Sequence, residues 1–133
     1  MKPAESSIID RIRVLLVDDE EGYVGVLAKR LAWRNFEVVS ALSGSEGIRT
    51  LRDTDFDVAV LDLKMEDMNG IEVLKVFKKM CPRMAVIMLT GHGSEQAARD
   101  GIAFGAFDWL MKPCELDELV RVIREAYEGR RRA

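Results

Sequence analysis

Among its 133 residues the chain has two cysteines, one histidine and three prolines. Cys81 and Cys114 are too few for a disulfide framework, which sets aside the small cross-linked secreted folds. Long hydrophobic runs are missing too. The longest, Met84 to Leu89, falls far short of the roughly 20 residues that span a bilayer. Met1 to Arg11 lacks the apolar stretch of a signal peptide. Nor does one sign of charge dominate: 20 Lys and Arg face 23 Asp and Glu, a net charge of -3. That balance exerts no general pull toward nucleic acid or an anionic membrane. With 48% hydrophobic and 32% charged residues, the chain can bury a sizeable core and stay in solution, which excludes disorder. The length suits one domain, and the expected location is cytoplasmic.

Two kinds of segment alternate along this length. Short β-rich runs occur at Ile12 to Val17, Phe36 to Val39, Val58 to Leu61, Met84 to Leu89 and Phe107 to Leu110. Apolar residues at consecutive positions fit strands covered on both faces, as in a parallel sheet. Helical periods separate them. Val24, Leu27 and Leu31 mark the first stripe, with Asn35 as a left-handed residue beyond its end. Ser43 and Glu46 read as a capping box opening a second helix that buries Ile48 and Leu51. Ile71, Leu74 and Phe77 line a third, stopped near Cys81-Pro82. A weaker fourth runs from Ser94 to Phe104 and contains Gly101, which costs about 1 kcal/mol against Ala. Leu116, Leu119, Val120, Ile123 and Tyr127 define the fifth, with Gly129 beyond its end. Five β–α repeats predict an α/β fold, a (βα)5 doubly wound parallel sheet of flavodoxin-like order 2-1-3-4-5. Residues 12–128 form the domain, 1–11 an N-terminal extension and 129–133 a short basic tail.

In such sheets ligands sit outside the carboxyl ends of the strands. There the first strand runs into Asp18-Asp19-Glu20-Glu21, the third into Asp62, the fourth into Thr90-Gly91 and the fifth into Met111-Lys112-Pro113. Taken singly, each has an ordinary explanation as an N-cap, a loop cap, a strand terminus or a solvated charge. Jointly those explanations fail. Three carboxylates within several ångström repel by about 4 kcal/mol per pair near 4 Å at an effective dielectric of about 20. Such a cluster needs a counter-charge. Carboxylate oxygens without His or Cys point to Mg²⁺ rather than Zn²⁺. Lys112 and Thr90 then suit a phosphoryl group, with one carboxylate as the nucleophile.

These residues resemble the receiver domain of two-component response regulators. The resemblance runs from about Ile12 to Tyr127 and rests on four blocks in order: Val14 to Glu20, Leu61 to Gly70, Leu89 to Gly91, and Gly105 to Pro113. Leu89-Thr90-Gly91-His92-Gly93 also resembles receivers attached to nitrogen-regulation-type transcription activators. The resemblance implies that Asp62 is the phospho-acceptor. It gives Mg²⁺ to Asp18, Asp19, Asp62 and the backbone carbonyl of Lys64. Thr90 becomes the switch hydroxyl, Trp109 the switch aromatic and Lys112 the partner of the phosphoryl oxygen, with a cis Lys112–Pro113 bond. Gly91 is the small residue that admits the phosphoryl group, and Lys64 and His92 stand where side chains can screen attacking water. Glu66 replaces the family's usual proline, so a looser loop is expected there. Cys114 replaces an aromatic and reads as a small buried hydrophobe.

The implied function is a phosphorylation-activated signalling switch rather than an enzyme. A sensor histidine kinase or histidine phosphotransfer protein donates the phosphoryl group, and autodephosphorylation resets the switch. The surface formed by the fourth helix, fifth strand and fifth helix responds and controls a downstream protein effector, with a phosphorylation-dependent dimer as one form. No direct contact with nucleic acid and no membrane insertion is expected, the Arg130 to Arg132 stretch reading as a helix terminus. No output domain is expected within these residues, and a larger parent protein is compatible with them. With His92 as the sole histidine, an internal relay histidine is not expected. Two other classes compete. A receiver-like scaffold would not need the acidic cluster. A Mg²⁺-dependent phosphohydrolase would carry an acid where Lys64 stands. A flavin-binding module lacks its phosphate-cradling loop, because acids follow the first strand.

Overall fold

The structure, a computed structural model, describes residues 11–91 and 93–132. His92 and residues 1–10 of the expected N-terminal extension lie outside them. Five strands, β1 Arg13–Val17, β2 Glu37–Ala41, β3 Val58–Asp62, β4 Ala85–Thr90 and β5 Asp108–Met111, form one parallel sheet in the order 2-1-3-4-5. Helices α1 Glu21–Trp33, α2 Gly44–Asp53, α3 Gly70–Met80, α4 Glu95–Ala103 and α5 Leu116–Arg132 follow them in turn. The expected fold class and strand order are those observed.

Alternation along the strands builds two cores. Val14, Leu16, Val58, Val60, Ile87 and Leu89 pack toward α1 and α5, burying Leu27, Leu31, Leu119 and Ile123. Leu15, Val17, Ala59, Leu61, Val86 and Met88 turn to the other face, under Leu51, Leu74, Phe77 and Ala98 of the remaining helices. Both faces of the sheet are therefore dry. This is the reason the strands read as unbroken apolar runs.

Local signals hold at most helix ends. Asn35 adopts φ 75°. The Ser43 hydroxyl accepts from the Glu46 N–H at 3.0 Å, while the Glu46 carboxylate reaches back to the N–H of Leu42. One expectation needs correction. Gly129 does not lie beyond the fifth helix; α5 continues through it to Arg132. One contact distant in sequence and one local contact hold this last turn: Arg130 pairs with Asp57 at 3.1 Å and lies over the Tyr127 ring. They offset the helical cost of glycine. Gly101, the helix-weakening residue of α4, is buried where α4 meets β4. A Cβ there would collide with the Met88 sulfur, so the glycine permits close packing.

Gly70 does the same beside the site. A Cβ on it would stand 2.5 Å from the Leu63 Cα and 2.8 Å from the Leu63 oxygen, backbone atoms that cannot swing aside. Gly70→Ala is expected to cost about 2–3 kcal/mol, the upper part of the overpacking range, read from the urea midpoint at unchanged m-value.

Candidate functional site

Register alone gathers the site. Val17 pairs with Leu61, Asp62 with Leu89 and Thr90 with Met111, so the residues ending β1, β3, β4 and β5 share one edge. From β1 the chain crosses to β2 on one side, and from β2 it returns past β1 to β3 on the other. Asp18 and Asp62 flank the crevice where that winding reverses.

One carboxylate oxygen from each of Asp18, Asp19 and Asp62 lies within 4.8 Å of the others. Asp18 is fully buried; Asp62 is 4% exposed. Asp18 accepts the Glu20 N–H at 2.9 Å on one oxygen and the Lys112 ammonium at 2.9 Å on the other. The ammonium lies 3.7 Å from Asp62 and bonds the Glu20 carboxylate at 2.5 Å. The Lys112–Pro113 bond is cis, and the Lys112 N–H donates to the Thr90 carbonyl at 2.7 Å. The Tyr23 ring lies 4.6 Å from the ammonium.

These surroundings set the charges. Burial, reinforced by the neighbouring charge of Asp18, raises the Asp62 carboxyl to about 6, against the pull of Lys112 and a hydrogen bond from the Lys64 N–H. Burial alone would lower the Lys112 ammonium, but its bonds to Glu20 and Asp18 outweigh that and hold it above the usual lysine value. Burial, then the nearby Cys114, pushes the Tyr23 hydroxyl up to about 12. Cys114 itself is half-buried, less covered than expected, and burial raises its thiol as well. An inert sulfur follows from that shift.

Thr90 is fully buried, its hydroxyl donating to the Gly91 carbonyl at 3.2 Å. Gly91 has open space where a Cβ would stand, at the wall of a cleft of about 480 Å³ shared with Glu20, Tyr23, Asp62 and Lys112. The Lys64 side chain is exposed at the rim of that cleft. Trp109 sits further back, half-buried beside the register partner Met88.

Sequence reasoning missed the stitching of the loop between β3 and α3. Glu66, where a looser loop is expected, adds a tie to the site. A residue other than proline supplies an N–H, and this one donates to Asp19 at 2.9 Å. Lys64 bridges to Asn69, whose side chain caps α3 through the Ile71 N–H. Asp67 accepts the Gly44 and Ser45 N–H groups at 3.0 Å and the Ser45 hydroxyl at 2.8 Å, clasping the loop to the start of α2. The Ser45 N–H in particular holds its carboxyl below the usual value. An acid two residues before a helix-capping-type Asn was the available signal, but its partner lies over 20 residues away.

The three carboxylates offer only hard oxygen donors, which suits Mg²⁺. If the Glu66 N–H orients Asp19 for the ion, Glu66→Pro should bind Mg²⁺ about fivefold more weakly than Glu66→Ala, which keeps the donor. Calorimetric titration of both would read this, and equal affinities would show the N–H to be idle.

The comparisons agree with this fold. A family model described as "Response regulator receiver domain" matches residues 14–124. "Transcriptional regulatory protein GlrR" of Escherichia coli (strain K12) is 39% identical over 115 residues, covering 86% of this chain and 26% of that protein. "Putative response regulator NtrX-like" of Rickettsia bellii (strain RML369-C) is 34% identical over 124 residues, covering 92% and 25%. The chain thus spans about a quarter of the length of these curated relatives. Among solved structures, a response regulator receiver domain protein from Clostridium thermocellum superposes with a TM-score of 0.87 at 34% identity, covering 90% of this chain and 97% of that one. With its fold, its acidic edge and these matches in agreement, the chain belongs to the response regulator receiver domain family.

Proposed function

We propose that Asp62 accepts a phosphoryl group from the phosphohistidine of a sensor kinase or histidine phosphotransfer protein, in a Mg²⁺-dependent reaction, and that the modified chain switches a protein partner. The observation that carries this reading is a nearly buried carboxylate facing an open cleft, among two more acids and one ammonium. Asp18, Asp19, Asp62 and the Lys64 carbonyl would hold Mg²⁺, which when bound supplies positive charge for the phosphoryl oxygens.

An Asp62 oxygen forms the new P–O bond while the P–N bond to the donor imidazole breaks, and the departing ring nitrogen is protonated by solvent. Lys112 neutralises phosphoryl oxygens; the protein supplies placement and charge rather than acid–base work. Thr90 can donate to the new group only by giving up the Gly91 carbonyl, which couples chemistry to conformation. Inverting a 1:99 equilibrium needs about 5.5 kcal/mol, within reach of a few charge-assisted bonds. Trp109, half-buried on β5 beside Met88, would serve as the switch aromatic, and Lys64 would meet incoming water.

The responding surface is α4, β5 and α5. Ile102, Phe104, Phe107 and Met111 are all exposed on or beside these elements, an apolar supply for an effector or a second, phosphorylated copy. Hydrolysis of the acyl phosphate returns the chain to rest in a cytoplasmic signalling cycle, with neither nucleic acid nor membrane bound by these residues. Among the described residues no helix is long and apolar enough to cross a membrane.

Incubation with acetyl phosphate and Mg²⁺ should add one phosphoryl mass, mapped by fragmentation to Asp62 and missing from Asp62→Asn. An unmodified wild type would favour a phosphorylation-independent scaffold. Turnover of phosphate esters beyond one equivalent would instead favour a hydrolase.

A further inference from the structure

We infer that Glu20 is a positioning residue that holds Lys112 back from the phosphoryl site in the resting protein. The inference rests on Asp62 being the acceptor. Lys112 has two close partners, Asp18 at 2.9 Å and Glu20 at 2.5 Å, whereas Asp62 stands off at 3.7 Å. The two close partners differ in freedom. Asp18 is fully buried and pinned by the Glu20 N–H, but the Glu20 side chain is 62% exposed and can swing into solvent. Glu20 is therefore the partner that Lys112 can exchange.

A second observation shows that the Glu20 carboxylate is committed elsewhere than its helix. Glu20 occupies the N-cap of α1, where a side-chain oxygen ordinarily accepts a backbone N–H of the first turn. Here it makes no such bond. The carboxylate turns away to Lys112 instead, over the wall of the cleft that holds Asp62 and Gly91. The Tyr23 ring beneath the ammonium keeps it within reach of both positions. A phosphoryl group on Asp62 must then compete with Glu20 for the same cation. Glu20 acts as an internal anion that sets how much of the phosphoryl group's attraction is left to drive the switch.

Beryllium fluoride, which mimics a phosphoryl group on a carboxylate, reads this directly in the presence of Mg²⁺. Glu20→Gln keeps the size of the side chain and removes its charge. It is expected to bind the mimic about fivefold more tightly than wild type, the upper end for an ion pair with one exposed member. Glu21→Gln removes an equal charge one residue on, from an exposed side chain, and should leave the affinity within a factor of two. Damage to the fold would weaken binding, so a tighter complex cannot come from a structural fault. An unchanged or weaker affinity in Glu20→Gln overturns the inference, as does an equal gain in Glu21→Gln, which would mark a diffuse charge effect. Wild type that binds no mimic, or an Asp62→Asn protein that binds it equally well, would overturn the reading of Asp62 and this inference with it.

Discussion

Metal-free Asp62→Asn protein is expected to be more stable than wild type at pH 7, by on the order of 3 kcal/mol. The argument is one of linkage. Burial and the charge of Asp18 raise the Asp62 carboxyl from 3.8 to about 6 in the folded chain. Between those two values the folded state holds a proton that the unfolded state has released. Stability from this group is therefore complete below about pH 4 and is lost as the pH climbs through 6. At pH 7 the folded protein carries an ionised carboxylate where its surroundings favour a neutral one. Asparagine has nearly the same shape and no charge to bury, so the cost disappears. Thermal melts in EDTA should show the variant roughly 10 °C above wild type at pH 7, with the gap closing toward pH 4. Added Mg²⁺ should narrow the gap at pH 7, because an ion that binds the wild-type cluster more tightly stabilises its folded state more. Equal melting temperatures at both pH values would mean that Asp62 is not strained by its neighbours.

Strain of this kind was legible in the chain before any coordinates, because it depends on which residues end which strands. Unbroken apolar runs declared a sheet covered on both faces. The crossover rule then left few ways to arrange it, and Asp18, Asp62, Thr90 and Lys112 fell to one edge. Elements with a strong local signal also fell into place, such as the Ser43 cap and the positive φ of Asn35. What stayed hidden depended on backbone donors and on side-chain direction. Residue type at Glu66 says that an N–H exists, but only the folded loop aims it at Asp19. Glu20 read as one more acid in a cluster, and its turn from the helix toward Lys112 is a choice of rotamer. The last turn of α5 escaped for a different reason. Gly129 is a local stop signal, overruled by the Arg130–Asp57 pair, whose members lie on opposite sides of most of the chain. Local chemistry places the elements, and contacts distant in sequence decide how far each one extends.

Lys112→Met should move stability the other way, lowering it by about 3 kcal/mol in EDTA at pH 7, the lower end for breaking a buried pair by removing one partner. Methionine preserves most of the stem that lies over Tyr23, so the loss reports charge rather than packing. Without the ammonium, Asp18 remains fully buried with only the Glu20 N–H to satisfy it, and it faces Asp62 across the crevice. Asp62, already raised to about 6, is pushed further and takes up a proton more readily. Lowering the pH from 7 to 5 should accordingly recover part of the loss in the variant. Mg²⁺ supplies the missing positive charge and should raise the melting temperature of Lys112→Met more than that of wild type, whose lysine competes for the same oxygens. Added to Asp62→Asn, Lys112→Met should cost clearly less than it does alone, leaving the double variant more stable than wild type, whereas plain addition of the two effects would return it to about the wild-type value. If the two changes simply add, Lys112 and Asp62 are not coupled, and the balance of charge proposed to ready Asp62 for a phosphoryl group does not exist.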